Sequence, residues 1–134
     1  MVDARQVEPT PKPKRRKKGT KTRLRDECDA LFGKLVRGRG PCLACGAWEN
    51  LQCAHGFSRS YQAVRWDDRN AFPLCRGCHV KFTHRPLEWD EWLRHWWGDE
   101  TYCEVRALAL THVRPDLNEL VAVLRERVKQ EVTA

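Results

Sequence analysis

Hydrophobic positions in three parts of the chain recur at the spacing of an amphipathic helix. The first set falls at i, i+4, i+7, i+8 and i+11 and therefore lies on one helical face. Its members are Leu24, Cys28, Leu31, Phe32 and Leu35. Thr22 suits the N-cap of this helix, and Gly38 or Gly40 suits its end. The pattern predicts a helix before residue 40.

Two further apolar faces lie in the second half of the chain. Residues 89–96 carry a tryptophan-rich face, which predicts a helix that ends at Gly98 and is followed by a helix capped by Asp99. Pro115 suits the first position of a last helix. The apolar side of that helix is Leu117, Leu120, Val121, Leu124 and Val128. We expect the tryptophans to be core residues, because indole rings bury large apolar areas.

Two short apolar segments separate the first helix from the tryptophan-rich one. LQCAH at residues 51–55 and AFPL at residues 71–74 each have the length of a strand, and residues 56–69 between them are polar. A short helix is expected after the second strand. Two strands among several helices predict a small α+β domain.

Four of the seven cysteines form two CxxC pairs, Cys42 with Cys45 and Cys75 with Cys78. Four thiolates at this spacing supply the tetrahedral sulfur set that zinc prefers, and a closed shell indicates a structural site. We favour metal over disulfides because the chain shows no secretion signal. The alternative is two unrelated pairs, one of them redox-active.

The excess positive charge is confined to the beginning of the chain. Residues 1–40 hold 13 Lys and Arg against 5 Asp and Glu, whereas residues 41–134 hold 12 against 13. We interpret residues 1–20 as a disordered basic arm and residues 21–134 as the folded domain. A polyanion, most obviously nucleic acid, is the expected partner of the arm. The contacting residues would be Lys14, Arg15, Arg16, Lys17 and Lys18. The alternative is a solubilising tail.

The order CxxC, His55, Asn70, CxxC, His79 resembles the HNH (His-Me finger) endonucleases that carry a treble-clef zinc. AHGFSRS, RWDDRN, PLCRGC and a tryptophan-rich helix ending in WWG are similar to the NinG/Rap type of phage recombination endonucleases. The resemblance covers residues 20–112. It implies a zinc-stabilised ββα-metal hairpin surrounded by helices. The implied activity is metal-dependent cleavage of DNA, selective for branched recombination intermediates.

The resemblance also implies roles for individual residues. His55 matches the general base, Asn70 the residue that pins the hairpin loop, and His79 a ligand of a catalytic divalent cation, Mg2+ or Mn2+. An imidazole pKa of ~6.5 suits a base at neutral pH. Arg59 and Arg65 flank the loop and are expected to hold phosphates. The alternatives are a packed or zinc-linked His55, a His79 bonded to the zinc thiolates, and arginines on a solvated surface.

Two positions depart from the pattern. Many HNH enzymes have an acid or histidine ligand directly before the first histidine, where this chain has Ala54. The remaining ligands of the cation would then be Cys53, His84, or water and substrate oxygens. His79 stands where NinG-like chains usually have Asn. Ala54 keeps open a non-catalytic zinc module that only binds nucleic acid. A duplex-nicking or packaging-associated HNH nuclease is a further alternative.

The chain has no apolar run of the ~18 residues that a membrane span needs. We expect a soluble cytoplasmic protein, in a bacterial host if the chain is phage-encoded, with DNA and not a membrane as its partner. Cleavage of both strands of a junction would favour a homodimer. No dimer face is identifiable from the sequence.

Overall fold

The computed structural model describes residues 8–133, which form four α-helices and one two-stranded antiparallel sheet. The elements are α1 (Thr20–Arg37), β1 (Leu51–His55), β2 (Ala71–Cys75), α2 (Arg76–Thr83), α3 (Pro86–Ala109) and α4 (Leu117–Thr133). Single 3₁₀ turns occupy Gln62–Val64 and Asp68–Asn70. The predicted α+β class and both predicted strands are confirmed. None of the described helices combines the length and apolarity that crossing a bilayer would require.

The hairpin places the candidate metal-binding cysteine Cys75 and the candidate general base His55 at opposite ends. β1 and β2 pair in a register that runs from Leu51 opposite Cys75 to His55 opposite Ala71. One end of the hairpin therefore carries Cys75, and the other end carries His55. Asn70 directly precedes the strand residue opposite His55.

Helices cover the hairpin on both faces. α1 and α4 pack together on one side, where Phe32, Val36 and Leu124 meet Ala71 of β2. On the other side, α3 packs on Phe72 and its neighbours. Alternate strand residues point to opposite faces of the sheet. Ala71 therefore packs in one core and Phe72 in the other, and the hairpin lies between the two cores. The packing fixes where the ends of both strands lie.

Several details of the helices differ from prediction. α1 begins at Thr20 with Gly19 as its N-cap, so Thr22 is a helical residue and not the cap. α4 begins at Leu117, because the carboxylate of Asp116 accepts hydrogen bonds from the backbone N–H groups of the next turn, at 2.9 and 3.1 Å. Pro115 therefore lies before this helix. The predicted break at Gly98 is confirmed, since its φ of 76° is a conformation that favours glycine.

The tryptophans are less buried than predicted. Trp66 is buried, but Trp48 is 72% exposed and Trp96 is 49% exposed. Trp48 lies on the loop between the first cysteine pair and β1. Trp96 is the outer member of a stack in which its ring lies parallel to Trp92, with centroids 5.3 Å apart. The indole rings of Trp48 and Trp96 are therefore accessible to solvent.

The predicted basic arm lies partly outside the described residues, since residues 1–7 are not described. Residues 8–19 are exposed and form neither helix nor strand. Lys18 Nζ lies 2.6 Å from Asp26 Oδ2 of α1. The folded part thus begins one residue before the predicted boundary.

Candidate metal centre and active-site cleft

The four paired cysteines converge at one end of the hairpin. Their Sγ atoms all lie within 4.8 Å of one another, and those of Cys45 and Cys75 are 3.6 Å apart. In a zinc tetrahedron with bonds of ~2.3 Å, neighbouring sulfurs are about 3.8 Å apart. The cluster can therefore hold a structural metal such as zinc.

Local backbone hydrogen bonds shape the two cysteine turns. Gly46 N–H donates to the carbonyl of Cys42 at 2.8 Å, and the φ of 79° at Gly46 permits this tight turn. In the second pair, Cys75 caps α2 by accepting a hydrogen bond from Cys78 N–H at 3.4 Å. Each turn thus presents two sulfurs to one point.

The thiols of the cluster differ in acidity. Burial acts to raise the pKa of Cys42, but N–H donors of Cys75, Cys45 and Ala44 outweigh it and lower the value to about 6. Burial, together with the other three thiols, raises the pKa of Cys78. Cys42 is therefore available as a thiolate at neutral pH, whereas Cys78 needs a bound cation to be held as a thiolate.

His55 is half-buried at the end of β1, with its ring 6.1 Å from that of Phe32. Its Nε2 lies 2.9 Å from the backbone carbonyl oxygen of Arg65. Because a carbonyl only accepts, Nε2 carries the proton and Nδ1 keeps its lone pair. Burial lowers the pKa of His55 below its ordinary value of 6.5. At neutral pH the ring can therefore accept a proton at Nδ1.

The side chain of Arg65 is engaged within the protein. Its Nε and Nη2 donate to the two carboxylate oxygens of Asp29, at 3.0 and 2.5 Å, and only 12% of the side chain is exposed. Trp66 Nε1 donates to the same carboxylate at 3.0 Å. We therefore drop the expectation that Arg65 holds phosphate. The same residue supplies the backbone carbonyl that lies 2.9 Å from His55 Nε2.

Asn70 is fully buried behind the cleft and ties the loop between the strands. Its Nδ2 donates to the carbonyls of Phe57 and Val64 at 3.0 and 3.1 Å, and its Oδ1 accepts from Phe57 N–H at 2.7 Å. Each such bond contributes about 1 kcal/mol net, and leaving its buried partner unsatisfied costs more. Asn70 therefore holds the loop that also carries Arg65.

His79 lies in α2, one residue after the last cysteine of the cluster. Its Nδ1 is 2.7 Å from the side-chain oxygen of Gln52 in β1. An amide oxygen only accepts, so Nδ1 carries the proton and Nε2 keeps its lone pair. Metal-binding histidines are commonly oriented by such a bond from the other ring nitrogen. Burial lowers the pKa of His79 and favours its neutral form.

His55 and His79 line one cleft of about 770 Å³ that runs along β1. Arg37 and Arg59 also line it, and Arg59 is largely exposed, with the carboxylate of Asp29 3.9 Å away. The cleft therefore combines two neutral imidazoles and two guanidinium groups with the Asp29 carboxylate, which is already paired with Arg65. Such cations attract a phosphodiester.

The remaining candidate ligands contribute little to a cation at His79. Ala54 is buried and borders a cavity of about 70 Å³ shared with His55 and His79. Burial raises the pKa of Cys53 to about 11, so its thiol is protonated at neutral pH. His84 is exposed at the end of α2. Water and substrate oxygens would therefore complete the coordination.

Sequence patterns missed three residues of the cleft, namely Asp29, Arg37 and Gln52. Asp29, Gly33 and Arg37 follow one another at i, i+4 and i+8, a polar stripe on α1 that could have indicated them. Gln52 is distant in sequence from its partner His79, and no local pattern marks it. The predicted contacts Lys14, Arg15, Arg16, Lys17 and Lys18 lie on the exposed segment before α1.

No family model, curated protein or solved structure matches this chain. The functional argument therefore depends on the geometry of the cleft and the cysteine cluster.

Proposed function

We propose that this protein is a metal-dependent DNA endonuclease of the HNH (His-Me finger) type, which hydrolyses phosphodiester bonds. One observation carries the proposal. The cleft contains two half-buried histidines whose hydrogen bonds leave opposite ring nitrogens unprotonated, Nδ1 in His55 and Nε2 in His79. One of them suits a general base, and the other suits a metal ligand.

The chemistry of His55 follows from its hydrogen bond. Nδ1 accepts the proton of a water molecule as that water attacks phosphorus. The imidazolium that forms keeps its Nε2–H bond to the Arg65 carbonyl, whose dipole stabilises the positive charge. The side-chain pair formed by Arg65 and Asp29 helps to hold that carbonyl in place. Arg37 and Arg59 can bind phosphate oxygens that do not react.

A divalent cation held at His79 would neutralise negative charge that develops on the phosphate and its leaving oxygen. The residues present fit such an ion with a single imidazole nitrogen. Mg2+ strongly prefers oxygen ligands, whereas imidazole suits transition metals better. Activity with Mn2+ should therefore require less metal than activity with Mg2+.

The cysteine cluster has a supporting role in this proposal. It joins the loop after α1 to the end of β2 and the first turn of α2. His79 lies next to Cys78, so a zinc ion bound there would fix the position of His79 relative to β1. The catalytic and structural metals would thus occupy separate sites.

The substrate class follows from charge and from the family resemblance. Cations in the cleft and in the segment before α1 bind phosphates and add affinity without reading base sequence. Selectivity for branched DNA is proposed on the resemblance to the NinG/Rap type. Equal cleavage of a four-way junction and of its linear duplex arms would instead favour the duplex-nicking alternative.

The test uses zinc-loaded protein with no other metal added, followed by titration with Mn2+ or Mg2+ on labelled junction and duplex DNA. Cleavage should require the added metal. His79→Ala should need a higher Mn2+ concentration, because occupancy follows mass action. His84→Ala, an exposed histidine five residues away, is the matched control. Cleavage without added metal, or an unchanged Mn2+ requirement in His79→Ala, would contradict the proposal.

A further inference from the structure

A buried polar atom without a partner lies away from the cleft. Among residues 8–133, Arg25 Nε is the one buried side-chain nitrogen or oxygen that lacks a hydrogen-bond partner. Buried polar groups almost always have a partner, and an exception commonly marks a missing water or ion. The Arg25 side chain borders a cavity of about 90 Å³, which lies between α1, the loop that joins β1 to β2, and the start of α4.

Three cations line this cavity, which we call the Arg25 niche. They are Lys21, Arg25 and Arg114, accompanied by Gln62 and Trp66. None of the three has an ion-pair partner within the described part of the chain. Three positive charges that form no ion pair with residues 8–133, placed around a small space, favour an anion.

The neighbouring carboxylates are already engaged. Asp26 pairs with Lys18, and Asp29 accepts from Arg65 and Trp66. Asp116 accepts hydrogen bonds from the first turn of α4. Because Asp116 already accepts from the N-terminus of α4, that helix end is not free to bind an anion. Anion binding in the niche would therefore depend on its side-chain cations. Within residues 8–133, no free carboxylate next to the niche offers these cations a partner, which favours an external anion.

We propose that the Arg25 niche binds a phosphate group of the DNA backbone, outside the cleft. The inference rests on the proposed nuclease function for its choice of polymer. A cavity of about 90 Å³ is small, and its size suits a phosphate group better than a nucleoside. Guanidinium groups bind phosphate through paired N–H donors.

A row of residues on α1 runs from the niche to the cleft and winds by about 40° around the helix at each step of four residues. Lys21, Arg25, Asp29, Gly33 and Arg37 recur every four residues, and the last three line the cleft. At 1.5 Å per residue, Arg25 and Arg37 are ~18 Å apart along the helix. That length corresponds to about five base pairs of duplex. A DNA strand in the cleft can thus reach the niche with a phosphate a few nucleotides away.

The test measures binding to a short duplex with neither Mg2+ nor Mn2+ present, so that cleavage does not enter. Arg25→Gln and Arg114→Gln should each bind about tenfold more weakly near 0.1 M salt and flatten the salt dependence by about one unit of slope. Arg106→Gln removes an exposed cation on α3 and is the control. Thermal melts check that the variants fold. Salt slopes equal to that of the control would overturn the proposal.

The NMR signal of Arg25 Nε–H separates the sources of the anion. DNA should shift this signal in wild type at micromolar concentration, while inorganic phosphate should shift it only at far higher concentration. An equal response to DNA and to inorganic phosphate would mean that the niche is a site for free phosphate. No response to either would mean that the niche holds only water. Each of these results would overturn the proposal. If cleavage is absent but these binding results hold, the nuclease function fails and the phosphate site stands.

Discussion

Replacement of His55 by alanine should reduce DNA cleavage by roughly 10²–10⁴-fold, which is the usual contribution of general-base catalysis. The affinity for DNA should remain near the wild-type value. The reason is that His55 supplies a proton acceptor, whereas Arg59, Arg37 and the basic segment supply the positive charge. Cleavage rates at saturating protein and separate binding curves without added Mg2+ or Mn2+ measure the two effects.

His95→Ala is the matched control for this substitution, because His95 is exposed on α3 and lies outside the cleft. It should cut at the wild-type rate. A folded, zinc-loaded His55→Ala protein that cuts as fast as wild type would contradict the general-base role and show that His55 serves only in packing. Loss of binding together with cleavage would show that the substitution disrupts the loop and not the chemistry alone.

Replacement of Cys42 by serine should abolish cooperative folding, the largest effect expected on stability. The four sulfurs converge on one point, and a structural zinc ion contributes on the order of 10 kcal/mol to folding. That exceeds the whole stability of many domains of this size. Metal analysis should find one zinc per wild-type chain, and melting curves should show no cooperative transition for the variant.

Cys103→Ser is the control for the zinc prediction, because Cys103 is an exposed thiol outside the cluster. This variant should retain both zinc and its melting transition. A wild-type protein that contains clearly less than one zinc per chain, yet melts cooperatively, would contradict the metal centre.

Patterns within short stretches of the sequence were enough to predict the main helices and strands and the cysteine cluster. Apolar periodicity indicated α1, and short apolar runs indicated both strands. The spacing of the paired cysteines predicted a cluster that the structure brings together. Helix starts were less predictable. α1 begins after Gly19 without a side-chain cap, and Asp116 caps α4 although Pro115 is the expected first residue of that helix.

The contacts that give the cleft its chemistry join distant residues and leave no local pattern. Arg65 and Asp29 are 36 residues apart, and Gln52 and His79 are 27 apart. From the sequence, Arg65 has the character of a surface cation available to phosphate. Only the packing of α1 against the loop shows that Asp29 captures it. The protonation pattern of His55 depends on the same packing.

The protonation pattern of the two histidines is therefore the most direct test of the proposed site. Long-range proton–nitrogen NMR spectra of histidine-labelled, zinc-loaded protein report which ring nitrogen carries the proton at each pH. His55 should be protonated at Nε2 and His79 at Nδ1 at neutral pH. Burial lowers the pKa of His55, so its second proton should bind only below its ordinary value of 6.5. A His55 protonated at Nδ1, or doubly protonated at neutral pH, would contradict its assignment as the general base.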